Sequence, residues 1–129
     1  MKKIKSESTK RLILRVTVND KPAYFLIDTG ASTGIMDNNQ IKKYDLKEGR
    51  KFGSTVIGAG GEMNNVKYCN TFVNVEGRVI SQFLLADISD IVKSIKRETD
   101  IEILGIIGLP QMKMCGISID CNDNEIILE

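Results

Sequence analysis

The most informative segment of the chain is Phe25-Leu26-Ile27-Asp28-Thr29-Gly30-Ala31-Ser32. It reads as an apolar strand that ends in an acid, followed by a small polar residue and a glycine. Removing a carboxylate from water at the end of a buried strand is unfavourable unless the acid is paired or used. The stretch therefore indicates a functional aspartate, and the alternative is a strand-to-loop turn with a solvated Asp28.

The length and composition predict one compact domain. The chain has 129 residues, of which 42% are hydrophobic, and two lobes with separate cores would need more chain. We expect a charged, disordered N-terminal tail over residues 1–10, which is rich in lysine, and a single domain over residues 11–129. No apolar run approaches the roughly 20 residues of a transmembrane helix, so no membrane partner is expected.

The charged and reactive residue types exclude several classes of function. The net charge is +1 and tryptophan is absent, which does not suit a nucleic-acid-binding face. Histidine is absent as well, which removes Ser-His-Asp and Cys-His catalysis and His-ligated zinc. Cys69, Cys115 and Cys121 form no Cys-x-x-Cys pair, and their odd number fits a reducing compartment. We expect a cytoplasmic location, no metal and no cofactor.

The periodicity of apolar residues predicts a β-rich chain with short helices. Alternation over 11–18 and 22–27, with a tight turn at Asn19-Asp20 between them, predicts a hairpin that delivers Asp28 to its loop. Asp37 is the expected N-cap of a short helix to Tyr44. Further strands are predicted over 51–57, 62–68, 71–75, 78–85, 116–121 and 125–128, a short buried strand over 104–108, and helices over 88–97 and 110–114.

Two further glycine-containing motifs follow Asp28 in the chain. The predicted hairpin over 51–68 has Gly58-Ala59-Gly60-Gly61 at its tip, where glycines let a backbone approach a ligand closely; a permissive turn is the alternative. Near the C-terminus, Ile106-Ile107-Gly108 is an apolar pair next to glycine, typical of a buried strand that another backbone approaches.

In this order the three motifs resemble the retropepsin-like aspartic proteases, single-domain relatives of retroviral protease, and the resemblance covers residues 11–129. It implies an all-β fold with short helices, built as a closed β-barrel of the retropepsin or acid protease type with a single lobe.

The resemblance also implies roles for individual residues. Asp28 would be the catalytic residue, and Thr29, Gly30, Ala31 and Ser32 would form the active-site loop. Ile106, Ile107 and Gly108 would support that loop from beneath. The flap that closes over a peptide would consist of Ile57, Gly58, Ala59, Gly60 and Gly61.

The chemistry of such a site requires a second carboxylate, because one acid cannot both activate the water and protonate the oxyanion. No other aspartate in the chain is followed by Thr-Gly or Ser-Gly. The second acid must then come from a second copy, which predicts a C2 homodimer. The expected function is hydrolysis of peptide bonds in a polypeptide substrate. The alternatives are a catalytically weak peptide-binding or dimerisation module with the same fold, and an unrelated β-barrel with a chance motif.

Ala31 carries a further hint about the pH range of activity. A serine or threonine at this position could donate a hydrogen bond to the catalytic carboxylate and favour its charged form, whereas alanine cannot. We expect activity to reach toward neutral pH.

Overall fold

The computed structural model describes residues 1–53, 56–58, 61–63 and 65–129, and these residues form a mostly β structure with a few short helices. The described strands are β1 (Lys2–Lys5), β2 (Ile13–Val18), β3 (Lys21–Asp28), β4 (Gly34–Asp37), β5 (Glu48–Lys51), β6 (Val56–Gly58), β7 (Gly61–Met63), β8 (Lys67–Cys69), β9 (Val73–Val75), β10 (Arg78–Ile80), β11 (Phe83–Ala86), β12 (Gly105–Gly108), β13 (Ile117–Asp120) and β14 (Glu125–Leu128). The helices are a 3₁₀ turn at Asn38–Gln40, α1 (Ile41–Tyr44), α2 (Ser89–Thr99) and α3 (Leu109–Cys115).

A nine-stranded sheet dominates the fold, in the order β10-β9-β2-β3-β12-β4-β11-β8-β5. Strand β12 lies at its centre, parallel to β3 on one side and antiparallel to β4 on the other. Within the described ranges the pairings run as an open series from β10 to β5, so closure into a barrel stays a prediction.

The β2–β3 hairpin forms where the alternation of apolar residues predicted it. Asn19 and Asp20 both adopt positive φ, 49° and 66°, as a tight primed turn between twisted strands requires. The predicted strand over 78–85 is interrupted instead, because Gln82 has a φ of 67° and ends the β conformation between β10 and β11. The predicted strands over 51–57 and 62–68 are also divided into shorter elements.

Two hydrophobic clusters cover the two faces of the central strands. One contains Phe25 and Phe83, whose ring centroids are 5.4 Å apart, together with the fully buried Ile107. The other lies under α2, which buries Val92 and Ile95 against the sheet as the helical spacing predicted. No helix in the described ranges is both long and apolar enough to cross a membrane.

The N-terminal segment corrects the prediction of a disordered tail. Strand β1 pairs antiparallel with β14, which pairs in turn with β13, giving a separate three-stranded sheet. Ile4 packs against the core, while Lys2 reaches Glu76 at 2.7 Å and Lys5 donates to the Asp123 carbonyl at 3.0 Å. The lysine-rich composition suggested a solvated tail, but the backbone of residues 2–5 is ordered by a partner strand more than a hundred residues away.

Candidate active site

Asp28 is the last residue of β3, and the structure places it beside the Ile-Ile-Gly motif. Strands β3 and β12 run in parallel with Ile106 opposite Leu26, Ile107 opposite Ile27 and Gly108 opposite Asp28. Two motifs that are about eighty residues apart in sequence thus end at the same point of the sheet. The loop after Asp28 is therefore supported by the end of β12.

The loop from Asp28 to Ser32 is tightly turned and largely open to solvent. The Gly30 amide donates to Oδ1 of Asp28 at 2.9 Å, and the Ala31 amide donates to the Asp28 carbonyl at 3.1 Å. Asp28 is half-buried, and Thr29, Gly30 and Ser32 are exposed. One carboxylate oxygen is fixed by the loop's own backbone, which orients the acid.

Gly108 lets two backbone segments come into contact beneath this loop. A Cβ atom at position 108 would lie 2.8 Å from the Thr33 carbonyl oxygen and 2.9 Å from that of Ala31. Neither carbonyl is the end of a flexible side chain, so a larger residue would force the loop to move. The next amide, of Leu109, donates to the Ala31 carbonyl at 3.0 Å and joins the loop to the start of α3.

Gln111 is a buried residue of the site that the sequence reasoning missed. Its Oε1 accepts from the Gly108 amide at 2.9 Å, and its Nε2 donates to the Ser81 carbonyl at 2.8 Å. The side chain also packs against Gly34, where an added Cβ would collide with the Gln111 amide group. The available signal was a glutamine three residues after the helix N-cap, which is half of a capping box.

A cavity of about 380 Å³ opens beside Asp28. Its walls are residues 9–12, residues 26–28 at the end of β3, and Cys121 and Asn124 from the turn after β13. The segment 9–12 was also missed, because the sequence placed it in or next to the expected tail. Hydrogen bonding to Glu98 raises the pKa of the Arg11 guanidinium, and the same contact lowers the pKa of the Glu98 carboxyl.

The predicted flap coincides with the β6–β7 hairpin. These strands pair antiparallel with Ile57 opposite Glu62 and Gly58 opposite Gly61. Ala59 and Gly60, the predicted tip, lie outside the described residues.

Among the described residues, one group of three acids has carboxylate oxygens within 4.8 Å of one another: Asp120, Asp123 and Glu125. The Asp123 amide donates to Oδ1 of Asp120 at 3.1 Å, so this group already has a structural role in the turn between β13 and β14. The expected absence of a metal and of a cofactor stays a prediction.

Comparisons with known proteins agree with this geometry. The class that the fold and motifs define is the retropepsin-like aspartic proteases. The sequence matches the family described as Aspartyl protease over residues 14–110, and the chain belongs to that family.

Solved structures show the same fold. The protease of EIAV, complexed with the inhibitor HBY-793, has a TM-score of 0.64 and 24% identity over 91% of this chain and 99% of its own. The retroviral protease-like domain of Ddi1 from Leishmania major has a TM-score of 0.61 and 22% identity over 92% of this chain and 88% of its own. Comparison with curated protein sequences gives no match.

Proposed function

We propose that this protein is a homodimeric aspartic endopeptidase in which Asp28 of one protomer and Asp28 of its partner form the catalytic dyad. The observation that carries the proposal is the position of Asp28: a half-buried carboxylate, oriented by the Gly30 amide, at the point where β3 and β12 end together. Membership of the aspartyl protease family supports it.

The proposed mechanism follows from the behaviour of two close carboxylates. Two carboxylates about 3 Å apart cannot both ionise and share one proton. The ionised acid takes a proton from a bound water, which attacks the scissile carbonyl carbon. The protonated acid donates to the developing oxyanion, and the dyad then protonates the leaving amine.

The need for a partner comes from the single acid that each protomer offers. In the part of the chain that the structure describes, Asp28 is the only carboxylate lining its cavity. A second Asp28, related by a twofold axis, is the simplest source of the second carboxylate. A stable monomer would then be inactive.

The terminal sheet offers a contact surface for this dimer. Strand β13 is an edge strand with no partner on its outer side in the described ranges, and it leads directly to Cys121 in the cavity wall of Asp28. The opposite edge, β1, carries Lys2, Lys3 and Lys5, so pairing two copies of β1 would bring like charges together. We therefore propose that β13 pairs with β13 of the partner.

The β6–β7 hairpin supports a flap role for residues 57–61. In that role, Ile57, Gly58, Ala59, Gly60 and Gly61 close over an extended polypeptide and hydrogen-bond its backbone. Glycines at such a tip leave room for the bound chain.

Two measurements test this proposal together. Sedimentation over a dilution series at pH 5 and pH 7 should show a species of about 29 kDa, twice the chain mass of 14.3 kDa. The same preparation should cleave an unstructured protein, be inhibited by a statine-type transition-state mimic, and lose cleavage in Asp28→Asn. A strict monomer at high micromolar concentration, or cleavage that persists in Asp28→Asn, would contradict the proposal.

The second candidate function is a catalytically weak or inactive peptide-binding or dimerisation module. A fold-level likeness does not by itself carry activity. This candidate predicts that Asp28→Asn binds peptide as well as the unchanged protein does and that neither cleaves it. Isothermal titration of both proteins with an uncleavable peptide analogue separates the two functions.

A further inference from the structure

Residues 6–12 form a loop whose ends are held together by the buried Ser6. The Ser6 hydroxyl donates to the Arg11 carbonyl at 2.9 Å and accepts from the Ile13 amide at 2.9 Å. Asn124 donates to the Ser8 carbonyl at 2.7 Å from the opposite wall of the cavity. The backbone of the loop is thus fixed on two sides.

The exposed side of the loop is held by the end of helix α2. Arg11 binds the Glu98 carboxylate in a bidentate manner, with Nε to Oε1 at 2.9 Å and Nη2 to Oε2 at 3.0 Å. Lys10 donates to the Glu98 carbonyl at 3.1 Å. Bidentate pairs fix orientation as well as distance, so the Glu98 carboxylate determines where the Arg11 side chain lies, whereas Lys10 is held by the backbone of the same residue.

The Arg11–Glu98 contact lies close to β3, the strand that carries Asp28. Leu12, the residue after Arg11, accepts a hydrogen bond from the Ile27 amide at 2.9 Å through its carbonyl oxygen. Ile27 immediately precedes Asp28, and Lys10, Arg11 and Leu12 line the same cavity as Asp28. The position of Arg11 therefore affects both a wall of the cavity and the backbone that carries the acid.

We propose that Glu98 is a positioning residue for the active site: by holding Arg11 through its carboxylate, it fixes residues 9–12 as the substrate-facing wall of the Asp28 cavity. This inference rests on the proposed peptidase function for its kinetic test and on the structure alone for its second test. Glu98 itself does not touch the substrate. Its effect falls on substrate binding, because the wall contacts the peptide equally in the ground state and the transition state.

The kinetic test compares Glu98→Gln with Glu102→Gln in the 129-residue chain. Glu102 is a matched control because it forms an ion pair of similar length and exposure, 3.0 Å to Lys43, but neither partner lines the Asp28 cavity. We expect Glu98→Gln to raise KM about threefold, a size typical of losing a partly exposed ion pair, with kcat unchanged. Glu102→Gln should leave both constants unchanged.

Charge reversal distinguishes positioning from simple stabilisation. Arg11→Glu and Glu98→Arg should each raise KM, and the double variant should restore it toward the value of the unchanged protein. A stabilising role alone would lower the melting temperature and leave KM unchanged at temperatures where every variant is folded. Equal KM in Glu98→Gln and Glu102→Gln, or no recovery in the double variant, would overturn the proposal.

The second test does not need activity. Amide hydrogen exchange of Ile27 should be faster by about threefold in Glu98→Gln than in Glu102→Gln, measured relative to amides of β4 and β11. Unchanged Ile27 protection would overturn the positioning role even in an active enzyme. A protein that cleaves nothing but shows the Ile27 effect would refute the proposed function and leave the positioning role standing.

Discussion

Two regions that contribute to the surroundings of Asp28 are specified by the sequence in different ways. The β3–β12 region is defined by residue identity, since the backbone contacts at Gly108 exclude any side chain. The N-terminal region, β1 and the loop after it, is defined by pairing with β14 and by contacts to Glu98 and Asn124. The first can be read from a motif, whereas the second depends on parts of the chain about a hundred residues away.

The largest effect is expected from mixing chains with and without the catalytic acid. If both Asp28 residues are needed, an equal mixture of unchanged and Asp28→Asn chains, allowed to exchange, should retain about a quarter of the activity of the same total amount of unchanged chains. Independent monomers would retain about half. The measurement is the initial rate of peptide cleavage at fixed total protein.

The close backbone approach at Gly108 predicts a large loss of stability. Gly108→Ala places a Cβ against two carbonyl oxygens and should lower the free energy of unfolding by about 3 kcal/mol. Gly53→Ala is the control, since nothing lies within 4 Å of its added Cβ, and its change should stay within about 0.5 kcal/mol. Urea denaturation of both variants provides the comparison, and equal stabilities would show that the loop adapts easily.

A moderate loss of stability is expected from a substitution in β1, because this strand is part of the folded structure. Ile4 is partly buried against the core, so Ile4→Ala should lower the free energy of unfolding by about 1 kcal/mol. Val79 is 57% exposed, so Val79→Ala is the control and should change the free energy of unfolding little. If urea denaturation finds Ile4→Ala as stable as Val79→Ala, residues 2–5 do not contribute to the fold.

The smallest effect concerns the pH dependence of the Arg11–Glu98 contact. Hydrogen bonding from Arg11 lowers the pKa of Glu98 from its ordinary value of 4.5. Because the folded-state pKa is the lower one, the stabilisation is fully present above pH 4.5 and is lost as the pH falls through the folded-state value. Above pH 4.5 the unchanged protein should therefore have a higher melting temperature than Glu98→Gln. The two melting temperatures should become equal as the pH is lowered below 4.5 and Glu98 is protonated. A difference that is constant with pH would contradict this assignment.

The sequence predicted the central part of the fold and the positions of its motifs. The order of Asp28, the glycine-tipped hairpin and Ile-Ile-Gly indicated the family that the sequence match shows. Asp37 caps the 3₁₀ turn as predicted, accepting from the Asn39 amide, because that signal lies within three residues. These features could be predicted because each depends on residues close together in the sequence or on residue types, such as glycine, with few other roles at such positions.

The missed features share a dependence on distant partners. Nothing within residues 2–5 indicates a strand, since Ile4 is the only apolar residue there and the pairing is made by β14. The contacts of Ser6 and Arg11 likewise follow from tertiary placement rather than from periodicity. Gln82, which divides a predicted strand by its positive φ, has no sequence signal comparable to glycine.

The most direct test of the shared dyad is the stoichiometry of inhibition by a tight-binding statine-type inhibitor. Titrating the enzyme at a concentration well above the inhibitor's Kd measures how many chains form one active site. A dyad made from Asp28 of both protomers predicts complete inhibition at one inhibitor molecule per two chains. Complete inhibition only at one molecule per chain, or no binding at all, would contradict the account.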